Sequence, residues 1–294
     1  MAAVLIAHDV EPWVERALRS VFAQSRRPEP VVVVENGSSD RTLEVLQRTS
    51  RSLGTEGSVT LVSKERLGVG GARNLGAEIG AAQGATAIAF LDGDDWWRPA
   101  FVEQVADVLF ASERRAAAFG WPILRDEGGR LQGLRTALHR DYDYRAFCRY
   151  KSPMRCGSCL MVRTSDWSRI GGFDADLPSS EDWEFLLRLT RDGRVVGCAH
   201  RWLVNYRRRQ GSLSRDGRLN VIATRSIETR HPRARRAKHW WWLLNLALSS
   251  GDAELWQTAA EQRPPVRAPD LLSFQFVRYL LLRSRRPARP PENR

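Results

Sequence analysis

With 294 residues, 43% of them hydrophobic and 27% charged, the chain is long enough to bury a full core and reads as a globular protein. Its formal net charge of +12 is unevenly spread: residues 1–199 carry 26 Lys and Arg against 27 Asp and Glu, and residues 200–294 carry 20 against 7. A neutral body with a basic tail argues against a nucleic-acid-binding chain, the four cysteines do not suggest a disulfide framework, and no apolar tract reaches the roughly 20 residues that span a bilayer.

Met1-Ala2-Ala3 runs directly into an apolar segment with no secretion signal, so a cytoplasmic location is the expectation. The first 120 residues alternate in the manner of an α/β sheet. Ala3–Ala7 predicts a buried strand, followed by a helix with Pro12 in its first turn and apolar residues at helical spacing. PVVVVENGSSD predicts a second strand ending in a polar turn, with Ser39 or Asp40 capping the next helix. SVTLVS is a third short strand, and RLGVGGARNLGAEIGAAQG reads as a glycine-rich loop entering an alanine-rich helix. ATAIAFL is a fourth strand, and PAFVEQVADVLFAS the helix after it. Uninterrupted apolar strands alternating with helices predict a mostly parallel sheet covered on both faces.

Further on, AAAFGWPIL and SCLMVR read as strands, and GGFDADLPSSEDWEFLLRL as a loop opening into a helix at about Glu181. Past Arg215 the pattern turns helical, with a hairpin over residues 235–262 and a further helix over 269–284. The domain expectation is a catalytic body over 1–214, a basic helical extension over 215–284 and a disordered tail over 285–294.

Three features carry chemistry. The fourth strand ends in Asp92-Gly93-Asp94-Asp95, where like charges at a strand end repel and a divalent cation would relieve them. Hard carboxylate oxygens suit Mg²⁺ or Mn²⁺, and two acids two residues apart let one hold a sugar hydroxyl while the other holds the metal. The loop LGVGGARNLG fits neither the Rossmann nor the P-loop fingerprint, but offers Arg73 as an anion contact at a helix N-terminus. At Glu181-Asp182, consecutive acids at a helix start point in different directions, so one can act as general base while the other caps the helix. Cys156-Gly-Ser-Cys159 has the spacing of half a zinc site, but no second half completes it, and it reads as small residues entering a strand. Trp240-Trp241-Trp242 behind a basic run suits either packing of the tail or an anionic membrane surface.

In this order and spacing, the motifs VLIAHD, VVVVENGSSDRT, RLGVGGARNLG, IAFLDGDDWW, GGFDADLPSSEDW and YRRRQGSLS resemble the family 2 glycosyltransferases of the GT-A fold, over residues 3–214. The resemblance implies a Rossmann-like, mostly parallel sheet flanked by helices, with a C-terminal helical extension. It also implies inverting transfer of a sugar from a nucleotide-diphospho-sugar, usually UDP-linked, through Mn²⁺ or Mg²⁺. By position, Ala7, His8, Glu35, Arg73, Asp92 and Gly93 match the donor-binding residues. Asp94 matches the metal-binding acid and Asp182 the catalytic base. Arg207, Gln210 and Ser212 match diphosphate or loop contacts. Glu35-Asn36 stand where the family usually has two aspartates, His8-Asp9 where Tyr-Asn is common, and Gln210 where a histidine often lies; Gln is a poor metal ligand. The acceptor is not legible, whether saccharide, lipid-linked sugar, natural product or peptide. The tail is expected to serve the acceptor, a homodimer or a peripheral membrane contact, and no nucleic acid is expected. The same strand-end acids occur in haloacid-dehalogenase-like phosphatases, with Asp92 as nucleophile, but there the motif follows the first strand. A surface-binding protein using only the tail would leave the acids unexplained.

Overall fold

A computed structural model describes residues 1–149, 153–154, 156–209, 211–212 and 216–234. The chain divides into two compact units, Met1–Leu213 and Ser214–Arg294. The first half of unit one is a succession of strands and helices: β1 (Ala2–Ala7), α1 (Val14–Phe22), β2 (Val31–Asn36), α2 (Thr42–Ser52), β3 (Val59–Lys64), α3 (Gly68–Ala82) and β4 (Ala87–Asp92). Then come β5 (Trp96–Trp97), α4 (Phe101–Phe110), β6 (Arg115–Arg125), β7 (Leu131–Leu134), β8 (Asp141–Tyr142) and α5 (Tyr144–Arg149). Unit one closes with β9 (Leu160–Arg163), α6 (Thr164–Arg169), α7 (Glu181–Thr190) and β10 (Val195–Arg207).

These strands form one ten-stranded sheet in the order β3-β2-β1-β4-β9-β6-β10-β5, with β7 beside β6 and β8 beside β10. The β3-β2-β1-β4 half is parallel throughout. β9 runs antiparallel to both β4 and β6, and β10 returns parallel to β6. Every residue of β1 and β2 is buried, as expected of strands covered on both faces. The alternation read from the sequence is therefore the observed architecture, a mixed but mostly parallel sheet flanked by helices.

Local chemistry explains where the elements differ from expectation. Pro12 lies in the turn before α1, which starts at Val14 and buries Val14, Ala17, Leu18 and Val21 on one face. Asp40 serves the start of α2, its Oδ1 accepting the Thr42 N–H at 2.9 Å. The expected glycine-rich loop is helix from Gly68 onward. Its glycines permit close approach: a Cβ on Gly80 would stand 2.8 Å from that of Ala2, and one on Gly76 would overlap Val4. The contact with the sheet outweighs the low helix propensity of glycine. Gly157–Cys159, expected as the start of a strand, is a 3₁₀ turn, and β9 begins only at Leu160.

In unit two, α8 (Gly217–Arg230) is capped by Asp216, whose side chain accepts the Leu219 N–H at 3.0 Å. The expected hairpin over 235–262, the helix over 269–284 and the disordered tail lie outside the described residues. Among the described residues, no helix is long and apolar enough to cross a membrane.

Candidate functional site

In the order β3-β2-β1-β4 the chain steps from β1 out to β2 and β3 and then crosses back to β4 on the other side of β1, the kind of switch in strand order where open α/β sheets bind ligands beyond the carboxyl ends of their strands. Register brings the residues of interest there together. Ala7 pairs with Glu35, Glu35 with Ser63, and Ile6 with Asp92. Gly93 follows directly, and its N–H donates to the Ile6 carbonyl at 2.8 Å. A side chain on Gly93 would meet Val10 at 2.9 Å, so only glycine lets β1 and the turn after β4 lie this close. His8 is half-buried at the end of β1; its Nε2 lies 3.5 Å from Asp9, and its buried Nδ1 has no hydrogen-bond partner among the described residues.

Glu35 is 3% exposed and tied to its own turn. The Ser38 N–H donates to its Oε1 at 2.6 Å and the Ser63 hydroxyl to its Oε2 at 2.7 Å. Burial pushes its pKa up, but these hydrogen bonds win and hold it below the ordinary glutamate value. Asn36 fastens the neighbouring connection, accepting from the Leu67 N–H at 2.7 Å and donating to the Gly68 carbonyl at 3.3 Å.

The three acids after β4 have three different surroundings. Asp92 accepts from Arg73 Nη2 at 2.6 Å. Asp94 accepts from Arg209 Nε at 2.7 Å. Asp95 is buried and, among the described residues, has no cation paired to it; it accepts from the Ser158 hydroxyl at 2.6 Å and the Arg207 N–H at 2.8 Å. Burial, followed by repulsion from Asp94 and Asp92, pushes the Asp95 carboxyl well above the usual range. Burial and repulsion from Asp92 raise Asp94 as well, against the opposing pull of Arg209. Ser158 also accepts the Asp92 N–H at 3.1 Å, so this one hydroxyl joins both ends of the turn.

Arg73 lies inside α3 rather than in a solvated loop. It is 2% exposed and spans two acids, with Nη2 on Asp92 and Nη1 on Glu181. Its guanidinium lies 5.6 Å from the Phe173 ring centroid, and Gly157 leaves room for it where any Cβ would overlap. Despite the cost of burial, the two carboxylates drive its pKa above the ordinary arginine value. The neighbouring Asn74 clamps the GGFDADL segment, donating to the Phe173 carbonyl and accepting its N–H, both at 2.8 Å. That clamp and the Arg73–Glu181 pair set the start of α7 beside the end of β4. The sequence leaves open which acid of Glu181-Asp182 serves the helix end. Glu181 takes Arg73, while Asp182, half-buried, accepts the Trp183 N–H at 2.7 Å.

On the far side, Arg207 is buried; its Nε donates to the Asp94 carbonyl at 3.0 Å, and its guanidinium also reaches the Glu127 carbonyl. Ser212 is half-buried, and Gln210 lies outside the described residues. The two cysteines of Cys156-Gly-Ser-Cys159 are free and buried, with sulfurs 3.2 Å apart. Among the described residues, no group of three or more His, Cys, Asp or Glu is gathered to hold a metal.

Residues 2–171 match the family model described as "Glycosyl transferase family 2". The chain belongs to that family. It is thus classed among the glycosyltransferases, and the family assignment replaces the phosphatase reading of Asp92. Curated relatives include the "Uncharacterized glycosyltransferase YwdF" of Bacillus subtilis (strain 168), 26% identical over 68% of this chain and 72% of that one. The "Chondroitin synthase" of Escherichia coli is 24% identical over 64% of this chain and 26% of its own length. The "Uncharacterized glycosyltransferase alr2836" of Nostoc sp. (strain PCC 7120 / SAG 25.82 / UTEX 2576) is 26% identical over 38% of this chain and 34% of its own. Of these last two relatives the chain spans about a third or less. Among solved structures, S. aureus TarS 1-349 in complex with UDP-GlcNAc superposes with a TM-score of 0.55 at 18% identity, over 72% of this chain and 60% of that one. This likeness establishes the GT-A-type fold.

The structure thus gathers Ala7, His8, Glu35, Asp92, Gly93 and Asp94 at the strand ends, with Asp182 next to the Arg73-paired Glu181 and Arg207 behind Asp94. Sequence reading named Asp95 among the strand-end acids and Arg209 in a basic run suited to a diphosphate, but missed Ser158, Glu181 as the partner of Arg73, and the pairing of Arg209 with Asp94. The adjacent acids Asp95 and Glu181 were visible as residues, but nothing local to Ser158 or Arg209 announces their partners.

Proposed function

We propose that this enzyme transfers a sugar, with inversion, from a nucleotide-diphospho-sugar, UDP-linked in the first instance, to a nucleophile on an acceptor. The observation that carries the reading is the convergence of Asp92-Gly93-Asp94 with the ends of β1 and β2 on one side and the acidic start of α7 on the other. The nucleotide lies over Ala7, His8 and Glu35, with Gly93 letting it approach the backbone. Glu35 already spends both oxygens on its own turn, so it acts chiefly by shaping that turn. Asp92, fixed by Arg73, faces the sugar side of the donor.

A divalent cation fits Asp94. The acid is half-buried, is repelled by Asp92 and has a raised pKa, all of which a cation would relieve. Mg²⁺ and Mn²⁺ sites of this kind use one or two carboxylates and take their remaining ligands from substrate phosphates and water, so a protein cluster of three is not needed. When bound, the metal would neutralise charge developing on the departing diphosphate. Arg207 and Arg209 border the same point and supply fixed positive charge. Asp182 takes the proton from the acceptor as it attacks the anomeric carbon on the face opposite the leaving group. Residues 1–214 form the catalytic body in this reading. The cytoplasmic location and the roles of the basic extension (acceptor, membrane surface or second subunit) belong to the same proposal.

Calorimetric titration with UDP, GDP and dTDP, each with Mn²⁺ and then with EDTA, tests the donor site. One metal-dependent nucleoside diphosphate is the expected result, lost in Asp94→Ala. Asp182→Asn is expected to keep that binding and to lose turnover by about 100-fold or more, the scale of general-base catalysis. Failure of all three nucleotides to bind in the presence of metal would refute the donor assignment.

A further inference from the structure

Beyond Asp94, away from Arg73, the molecule collects more positive charge than the donor reading uses: it employs Arg207 and Arg209 but leaves Arg16 and Arg125 without a task. Three guanidiniums surround the indole of Trp96, which is buried in β5: Arg16 at 3.7 Å from its centroid, Arg207 at 5.0 Å and Arg125 at 5.9 Å. The half-buried Trp13 lies 5.5 Å from Arg207 and 5.3 Å from Arg209, continuing the shelf. The β6–β7 turn borders it: a Cβ built on Gly129 would stand 3.6 Å from Nη1 of Arg16 and 3.8 Å from Nη1 of Arg207. Among the described residues, no carboxylate forms an ion pair with Arg16, Arg125 or Arg207, and Arg125 donates only to the Asn205 amide oxygen. Burial, and then repulsion from Arg125, lower the Arg16 pKa; burial lowers that of Arg207, with Arg16 opposing the help Asp94 gives.

Like charges held together against aromatic rings, with no carboxylate paired to them among the described residues, are arranged for an anion from outside. We infer that Arg16, Arg125 and the Trp96–Trp13 shelf form an acceptor subsite for an oxyanion, so that the sugar acceptor carries a phosphate or carboxylate group near its reacting nucleophile. This rests on the transferase reading above. Trp96, Arg125 and Arg207 lie on β5, β6 and β10, on the other side of β4 from the β1 and β2 ends assigned to the nucleotide, and α1 brings Trp13 and Arg16 against them. An acceptor anchored there would be held beside the donor sugar without using the diphosphate contacts.

The probe is glycerol 3-phosphate, titrated into the full-length enzyme saturated with UDP and Mn²⁺, with methyl glucuronide and the neutral methyl glucoside run in parallel. Wild type is expected to bind at least one of the two anions, with affinity falling as salt is raised. Arg16→Gln/Arg125→Gln is expected to weaken that anion about tenfold, the scale of losing one charge-assisted hydrogen bond, while the UDP affinity is unchanged. Arg16→Lys/Arg125→Lys is expected to restore most of the loss. Which anion binds distinguishes a phosphate-bearing acceptor from a carboxylate-bearing one. Failure of both anions to bind, anion binding equal in wild type and the Gln variant, or equal loss for methyl glucoside would overturn the subsite. A parallel fall in UDP affinity would reassign these arginines to the donor. If wild type binds an anion but no nucleotide, the donor reading fails and the anion site stands.

Discussion

Replacing Arg73 with methionine tests whether the site is assembled by one buried cation. The guanidinium is 2% exposed and is shared by Asp92, 26% exposed, and Glu181, 12% exposed. Removing a buried partner from an ion pair typically costs about 3–5 kcal/mol, because the remaining charge is left in a poor solvent. Here two acids lose their partner, but both reach some water, which places the loss toward the lower end. Loss of the contact with the Phe173 face contributes about 0.5–1 kcal/mol more. Methionine fills much of the volume, so little of the effect is cavity. The expected destabilisation is about 3.5–4 kcal/mol, which in a unit of this size lowers Tm by roughly 7–16 °C. Arg73→Lys keeps the charge but has one ammonium in place of a fork, so it cannot serve both carboxylates and is expected to fall between. Urea denaturation followed by tryptophan fluorescence reads all three proteins. A loss below about 1 kcal/mol in Arg73→Met would show that Asp92 and Glu181 are held by something other than Arg73, and the reasoning would fail.

Two further outcomes follow from the same geometry. Because the folded-state pKa of Asp95 is raised, the metal-free enzyme is expected to lose stability as pH rises from about 4, the ordinary aspartate range, through the raised value. Asp95→Asn removes that charge and is expected to flatten the fall in Tm between pH 5 and pH 8 in EDTA; an unchanged slope would contradict the assigned burial. Gly157→Ala drives a methyl group into the Arg73 guanidinium, and a destabilisation of about 1–3 kcal/mol, read from the urea midpoint, is expected.

Much of the first half of the fold was legible because VVVV and AVLIA segments separated by amphipathic helices admit few structures other than a buried parallel sheet. The acids were legible because like charges at a strand end demand a reason. Arg73 was misplaced because glycines at 68, 70 and 71 read locally as a loop. Their actual service is contact with other chain segments: a Cβ on Gly70 would stand 2.7 Å from the Asp174 carbonyl oxygen, more than 100 residues away in sequence. Ser158 was hidden by the same kind of distance, since its partner Asp95 is 63 residues earlier. At Glu181-Asp182 the helix period shows that the two acids diverge, but only the position of Arg73 decides which one turns inward. The Trp96 shelf was invisible for the same reason, Arg16 and Trp96 being brought together by α1 lying against β5.

The different treatment of the three acids bears on how the site can change state. Asp92 is held by a cation fixed in the core helix α3, and releasing it would strand charge in the interior. Asp95 is held by hydrogen bonds from Ser158 and from the backbone of β10, which tie the acidic turn to the sheet. Of the three, only Asp94 has a cation from the rim, Arg209, whose side chain is 22% exposed and which lies two residues past the end of β10. With its cation reached by solvent, that pair costs less to break than the one whose arginine is 2% exposed. Arg209 can therefore leave Asp94 for solvent or for a phosphate at lower cost than Arg73 can leave Asp92. The acid assigned to the metal is thus the one whose present cation is exchangeable, and the acid assigned to the sugar side is the one whose position is fixed.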